Sequence, residues 1–283
     1  MNKSKLLFFL FVILMFTKLF GQQADTCQAK IKWFPSSLNI QPFTANFLEP
    51  RAGVSYLVNA DRLRLDIGTS HDLYRITWNN KTLSFGGDLF TFTRLRSEAN
   101  FKFPVETIDY FFGINSGYKI IDDNEEYGFR FRLSHISAHL VDGRFDELNL
   151  DWRNNLLPFV YSREFVELFP FYKIDNFRGY VGFTYLFHVI PANIGKEIYQ
   201  VGFDYYLVSF LGKNISPFIA DDYKINKTEN YNGNNIFMIG IKFGRYTGQG
   251  FSIIYSYYSG KSIHGEYYDM NEYYSSIGIN LDL

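Results

Sequence analysis

The amino-acid sequence predicts an all-β fold, a transmembrane antiparallel β-barrel of about 12 strands. Three observations carry this. Apolar and polar residues alternate with period two along most of the chain after residue 50, as expected of strands with one face in an apolar medium. Phe 31, Tyr 22 and Trp 3 make the chain 20% aromatic, and aromatic residues favour strands and gather at membrane interfaces. Many alternating runs exceed the roughly five or six residues of a globular strand. They suit the roughly 9–11 residues that cross a bilayer at a tilt.

The N-terminus comes first. "MNKSK" is basic, Leu6 to Phe16 is an unbroken apolar run, and Gly21 offers a small residue for cleavage. That layout predicts a secretory signal peptide over 1–21. The run is short of the roughly 20 residues of a spanning helix, and Lys18 interrupts its extension. Residues 22–49 are then a periplasmic N-terminal extension, and 50–283 form the barrel in the outer membrane of a Gram-negative-type bacterium. Cys27 is the single cysteine, which excludes an intramolecular disulfide framework. The "LFGQQADTC" around it lacks the small and apolar residues that lipidation needs. A formal net charge of −1 gives no sign of a nucleic-acid partner.

Strands are predicted at 50–58, 62–78, 82–96, 104–116, 126–140, 156–171, 178–190, 196–211, 214–225, 233–245, 249–259 and 270–283. In "DRLRLDIG", Leu63, Leu65 and Ile67 share one face while Arg62, Arg64 and Asp66 take the other. "RGYVGFTYLFHVI" places Val181, Phe183, Tyr185 and Phe187 together, which puts His188 on the lumenal phase. Short turns at 79–81, 212–214 and 246–249 fall on one side, as inner turns of a barrel do. Longer connections at 97–103, 141–155, 226–232 and 260–269 fall on the other. Two connections fit poorly: 59–61 is short for an outer loop and 117–125 is long for an inner turn. A soluble exported β-protein is the competing fold, and it would turn the apolar faces inward.

The last strand, "SIGINLDL", sets Ile277, Ile279, Leu281 and Leu283 on one face. It resembles the C-terminal signal that outer-membrane barrels present to their assembly machinery, with Ser276, Gly278, Leu281 and Leu283 in the matching places. Outer-membrane lipids and that machinery are the partners this implies.

On the predicted lumenal faces lie Arg130 and Arg132, Arg163 and Glu167, Asp109, and Arg62, Arg64 and Asp66. Small barrels fill their interior with side chains and buried charges need partners. A plugged, salt-bridged interior follows, with a narrow polar pore as the functional alternative. His71 and His264 are expected to be solvated loop or strand-end residues.

Chemistry concentrates in "RFRLSHISAHLVDGRF" at 130–145, where His135, Ser137 and His139 alternate and Asp142 follows. Phe129, Phe131 and Leu133 belong to the lipid-facing set, so unbroken alternation turns His135 and Ser137 outward as well. However, Ile136, Ala138 and Leu140 are apolar on the opposite phase. The reading favoured from the residues is a phase slip through a β-bulge near Ser134, with the histidines capping the lumen. His139 and Asp142 are the candidate metal ligands.

The His-x-Ser pair is similar to that of outer-membrane phospholipase A and the outer-membrane lipid A deacylase, which carry it on the outside of a barrel. In the phospholipase an Asn follows the Ser by twelve residues, and Asn149 stands at that spacing from Ser137. The resemblance implies a lipid esterase with Ser137 as nucleophile, His135 as base and Asn149 as orienter. Calcium is implied only under that reading, and no other cofactor is expected. The sequence departs from the phospholipase pattern at Ala138 and His139. Together with "FLEPRAGVSY", the segment "SHISAHLVDGR" also resembles uncharacterised exported bacterial barrels with a His-x-Ser-x-His-Leu-x-Asp pattern, which imply a barrel and no assigned activity.

Overall fold

The computed structural model of the protein describes residues 29–58, 60–208, 211–212 and 214–282. The signal peptide expected at 1–21 and Cys27 lie outside them. The strands are β1 (Lys30–Trp33), β2 (Ala52–Leu57), β3 (Arg62–Trp78), β4 (Lys81–Arg96), β5 (Val105–Asp122), β6 (Glu125–Leu140), β7 (Phe145–Asp146), β8 (Asp151–Trp152) and β9 (Tyr161–Ile174). They continue with β10 (Phe177–Ile190), β11 (Glu197–Tyr206), β12 (Ile215–Thr228), β13 (Asn230–Gly244), β14 (Gly250–Lys261) and β15 (Asn271–Asp282). All but β1, β7 and β8 form one closed antiparallel barrel of 12 strands. Closure is made by β15 on β2, with Ile277 opposite Tyr56 and Leu281 opposite Ala52. No exposed edge of the wall remains along that seam.

Three hairpins at one end turn through Asn79, Asp123 and Asp175 at positive φ, a region Asn and Asp tolerate. Pairing runs further than alternation alone indicates. β5 and β6 stay in register to Asp122 and Glu125, so the connection expected at 117–125 is a tight turn. The outer loop expected at 226–232 is likewise absorbed. Only Glu229 separates β12 from β13, and Asn226 pairs with Asn232 in the ladder.

The apolar faces point outward. Ile114 is 63% exposed and Val181 54%, and the charged faces point in. The arrangement suits a hydrocarbon surround and is opposite to that of a soluble β-protein. Among the described residues no helix is long and apolar enough to cross a membrane.

The lumen is filled from both ends. After β1 pairs with the far end of β3 and the Phe34 amide donates to the Leu73 carbonyl, residues 38–51 leave the wall and run inside. Phe43 is fully buried against Phe169 and Tyr180, with ring centroids 5.3 and 4.2 Å away. The guanidiniums of Arg130 and Arg178 lie over the Phe43 ring at 4.6 and 4.7 Å, within cation–π range. Glu49 is 1% exposed and pairs with both Arg130 and Arg132. Arg132 also reaches Asp88 at 3.1 Å. Asn46 accepts a hydrogen bond from Lys224 Nζ at 2.6 Å and donates one to Glu49 at 2.9 Å.

At the opposite mouth, residues 262–270 fold inward as a cap. Asp109 accepts hydrogen bonds from His264 Nδ1 and the Gly265 amide, both at 2.7 Å. His264 is therefore buried, contrary to its expected solvation, because the cap carries it to a lumenal carboxylate. Phe90, Phe92, Phe111, Ile136, Phe165 and Leu186 form an apolar core inside the barrel wall.

That core explains why the phase does not slip at Ser134. β6 stays in unbroken register with β5 and β9 from Tyr127 to Ala138. Arg130, Arg132, Ser134, Ile136 and Ala138 are all buried. The lumen at this level is hydrophobic, so it takes Ile136 and Ala138. The outward face of the same strand becomes polar at His135 and Ser137.

Candidate functional site

β6, β9 and β10 are neighbours, and their register assembles a polar patch on the outer face of the barrel. His135 stands opposite Glu164, and Ser137 opposite Ser162. On the other side of β9, Glu164 stands opposite His188. Strict alternation would turn His188 into the lumen. A register shift between Leu186 and His188 breaks it, because a bulge places one extra residue on its strand. Leu186 stays fully buried, while Phe187 and the His188 side chain are both about half exposed. The bulge therefore lies in β10, and its effect is to deliver a second histidine to Glu164.

Glu164 Oε1 accepts the Nδ1–H of His135 at 2.6 Å and the hydroxyl of Ser162 at 3.0 Å. Its Oε2 contacts Nδ1 of His188. An ionised carboxylate only accepts, so each imidazole presents Nδ1–H to it. A neutral His135 then keeps its lone pair on Nε2, as a general base requires. The ring is steadied from the other side by Phe112, whose centroid lies 4.8 Å away. His135 and Glu164 side chains are 27% and 28% exposed.

Ser137 shares the outward face of β6 with His135, two residues further along. Two residues of strand span about 7 Å, and the ring of His135 is held by Glu164 and Phe112. Ser137, Ser162 and His188 all lie within a few residues of the cap-end termini of their strands. The patch therefore occupies the band where an outward apolar belt meets its polar rim.

The other expected site residues lie elsewhere. Asn149 is in the connection between β7 and β8, exposed, and donates to Asp146 Oδ2 at 3.0 Å. The residue that meets His135 is Glu164. The ring of His139 lies 6.0 Å from that of Tyr110, while Asp142 accepts from the Gly143 amide at 2.8 Å. Among the described residues no group of three His, Cys, Asp or Glu side chains is arranged to hold a metal. Sequence reasoning missed Glu164 and Ser162. The available signal was their phase: both fall on the outward face of β9, which otherwise carries Val166, Leu168, Pro170 and Tyr172.

A closed barrel with a filled lumen and a polar patch on its outer wall defines the class, a plugged transmembrane β-barrel. The chain belongs to the family described as protein of unknown function (DUF1207), whose model matches residues 102–282. It is also 30% identical over 149 residues to protein MosB of Rhizobium meliloti, a match covering 48% of this chain. The matched part spans only 27% of that relative's length. Among solved structures it is similar to outer membrane phospholipase A of Escherichia coli, at 14% identity and a TM-score of 0.52 over 87% of this chain and 94% of that one. The outer membrane phospholipase of Salmonella typhi, a dimer with bound calcium, aligns at 15% identity and a TM-score of 0.53, with the same coverage. At these identities the likeness is one of fold.

Proposed function

We propose that the protein is an outer-membrane ester hydrolase acting on envelope lipids, with Ser137 as nucleophile, His135 as general base and Glu164 as the residue that orients His135. The observation that carries this reading is the hydrogen bond from His135 Nδ1 to Glu164 at 2.6 Å, made on the outward face of the barrel beside Ser137. Charged and polar groups on a lipid-facing wall are costly, and a base oriented by a third group is what a weak hydroxyl nucleophile needs.

Ser137 Oγ attacks the acyl carbonyl while its proton passes to His135 Nε2. Collapse of the tetrahedral intermediate breaks the ester C–O bond, and His135 returns the proton to the departing alcohol. Water, deprotonated by the same nitrogen, then releases the fatty acid and regenerates Ser137. The carboxylate stabilises the imidazolium in both steps. The lipid substrate reaches the site within the leaflet, so no lumenal passage is needed. The barrel itself is inserted by the assembly machinery, which reads β15. Calcium belongs to this reading as an activator to be tested, and the role expected of Asn149 is compared directly with that of Glu164.

The test is release of labelled fatty acid from phospholipid by the purified full chain, with and without calcium. Activity well above background in the wild type, lost in Ser137→Ala and retained in Ser162→Ala, supports the reading. Equal background rates in wild type and Ser137→Ala with calcium present end it. The filled lumen favours one second reading, a barrel with a binding or structural role and no open pore. It predicts a folded protein that is silent in planar-bilayer conductance.

A further inference from the structure

A cavity of about 410 Å³ lies between residues 36–44 of the inner segment and the barrel wall. It sits at the short-turn end, bordered by Asn176 and residues 246–249. Its volume is in the range that holds a small organic ligand. Ile40, Phe43, Phe171, Phe218 and Ile254 supply apolar wall.

The cations that line it outnumber the carboxylates that line it. Arg51, Lys119, Lys173, Arg178 and Lys242 face Glu49, Glu126, Asp204 and Asp282. Glu49 is already taken by Arg130 and Arg132, Asp204 by Arg178 at 2.6 Å, and Asp282 by Lys242. Glu126 is shared by Lys119 at 3.0 Å and Lys173 at 2.7 Å. Arg51 donates only to backbone carbonyls, those of Glu49 at 3.3 Å and Asn46 at 2.7 Å, and among the described residues it has no carboxylate partner. Among the lining cations Arg51 is therefore without a direct carboxylate contact, and Lys119 and Lys173 share a single one, beside an apolar wall. Lys173 also lies 5.6 Å from the Tyr246 ring centroid, and that ring is 6.0 Å from Tyr206, so an aromatic rim adjoins the surplus charge. Arg51, Lys119 and Lys173 are half-buried; cations drawn out of bulk water favour an anionic partner, and a guanidinium fork is matched by a carboxylate.

We propose that this cavity binds a small organic anion, a carboxylate carried on an apolar body, admitted from the short-turn end of the barrel. The carboxylate sits between Arg51 and the Lys119–Lys173 pair, and the apolar body lies against Phe171 and Phe218. This inference is independent of the hydrolase reading, which concerns the outer face.

The probe is benzoate, with neutral benzamide as its isostere, titrated calorimetrically into the full-length protein in lipid nanodiscs with empty nanodiscs as blank. Saturable one-site binding of benzoate is expected, with benzamide at least tenfold weaker. Arg51→Gln should weaken benzoate tenfold or more. Because Arg51 also holds carbonyls of the inner segment, Lys173→Gln is measured beside it and should weaken benzoate while leaving the unfolding temperature close to wild type. Ser137→Ala should bind benzoate as the wild type does. Equal affinity for benzoate and benzamide, or no heat above that of empty nanodiscs, overturns the proposal.

Discussion

Glu164 accepts the Nδ1–H of His135 at 2.6 Å across the β6–β9 ladder. The two residues are directly opposite in register, so the wall itself holds the pair in place. An orienting carboxylate fixes the tautomer of the base and stabilises the imidazolium that forms during catalysis. Glu164→Gln keeps the shape of the side chain and removes its charge. It should lower fatty-acid release by about 10²- to 10⁴-fold with little change in KM. Asn149→Ala, measured in the same assay, should leave the rate near wild type. The reverse ranking would return the orienting role to Asn149.

The interior makes a stability prediction. Glu49 brings one carboxylate to two buried guanidiniums, those of Arg130 and Arg132. Removing one partner of a buried ion pair leaves uncompensated charge and costs about 3–5 kcal/mol. Glu49→Ala should therefore lower the thermal unfolding temperature strongly, read from the heat-dependent shift of the folded barrel on gels. Glu49→Gln keeps the volume and should fall between the two. An unfolding temperature equal to wild type in Glu49→Ala would mean that the inner segment is not anchored by this pair.

The barrel was legible in the sequence because its wall obeys a local rule. Alternation sets Ile67, Val181 and Ile277 on the apolar face of their strands whatever their neighbours are, and strand length follows from the same runs. Three parts of the site depend on long-range contacts and were not legible. The phase of His135 turned on whether the lumen beside Ile136 is polar or apolar, and that is set by Phe90, Phe111 and Phe165 on other strands. His188 reaches Glu164 only through a bulge, which leaves no period-two signature. Residues 22–49 read as an extension because nothing local says that Phe43 belongs between Arg130 and Arg178, or Glu49 beside Arg130 and Arg132.

The cap offers a steric test. A Cβ on Gly265 would stand 2.3 Å from the Tyr161 ring and 2.7 Å from the Ala138 methyl group. Both neighbours are buried and belong to wall strands that cannot retreat easily. Forcing an extra carbon into such a site costs about 1–3 kcal/mol. Gly265→Ala should lower the unfolding temperature, and faster hydrogen exchange should be confined to residues 262–270. Exchange unchanged in that segment would show that the cap has room to spare.

The cap also carries a pH dependence. Glu266 is 1% exposed, and burial pushes its carboxyl up to about 7 from the usual 4.5. The nearby charge of Asp109 contributes to that rise. The folded cap thus holds the proton more tightly than the unfolded loop does. A raised folded-state value gives stability that is complete below the unfolded value and is lost as pH rises through the folded one. The cap should therefore be firmest below about pH 4.5 and loosen progressively toward pH 7 and above. Hydrogen exchange of residues 262–268, corrected for the intrinsic pH dependence of the chemistry, should show protection falling across that window. Glu266→Gln, which cannot ionise, should hold its protection level through the same range. A wild-type cap whose protection is flat between pH 4.5 and 8, or rises with pH, would show that Glu266 is ionised in the folded cap at no cost.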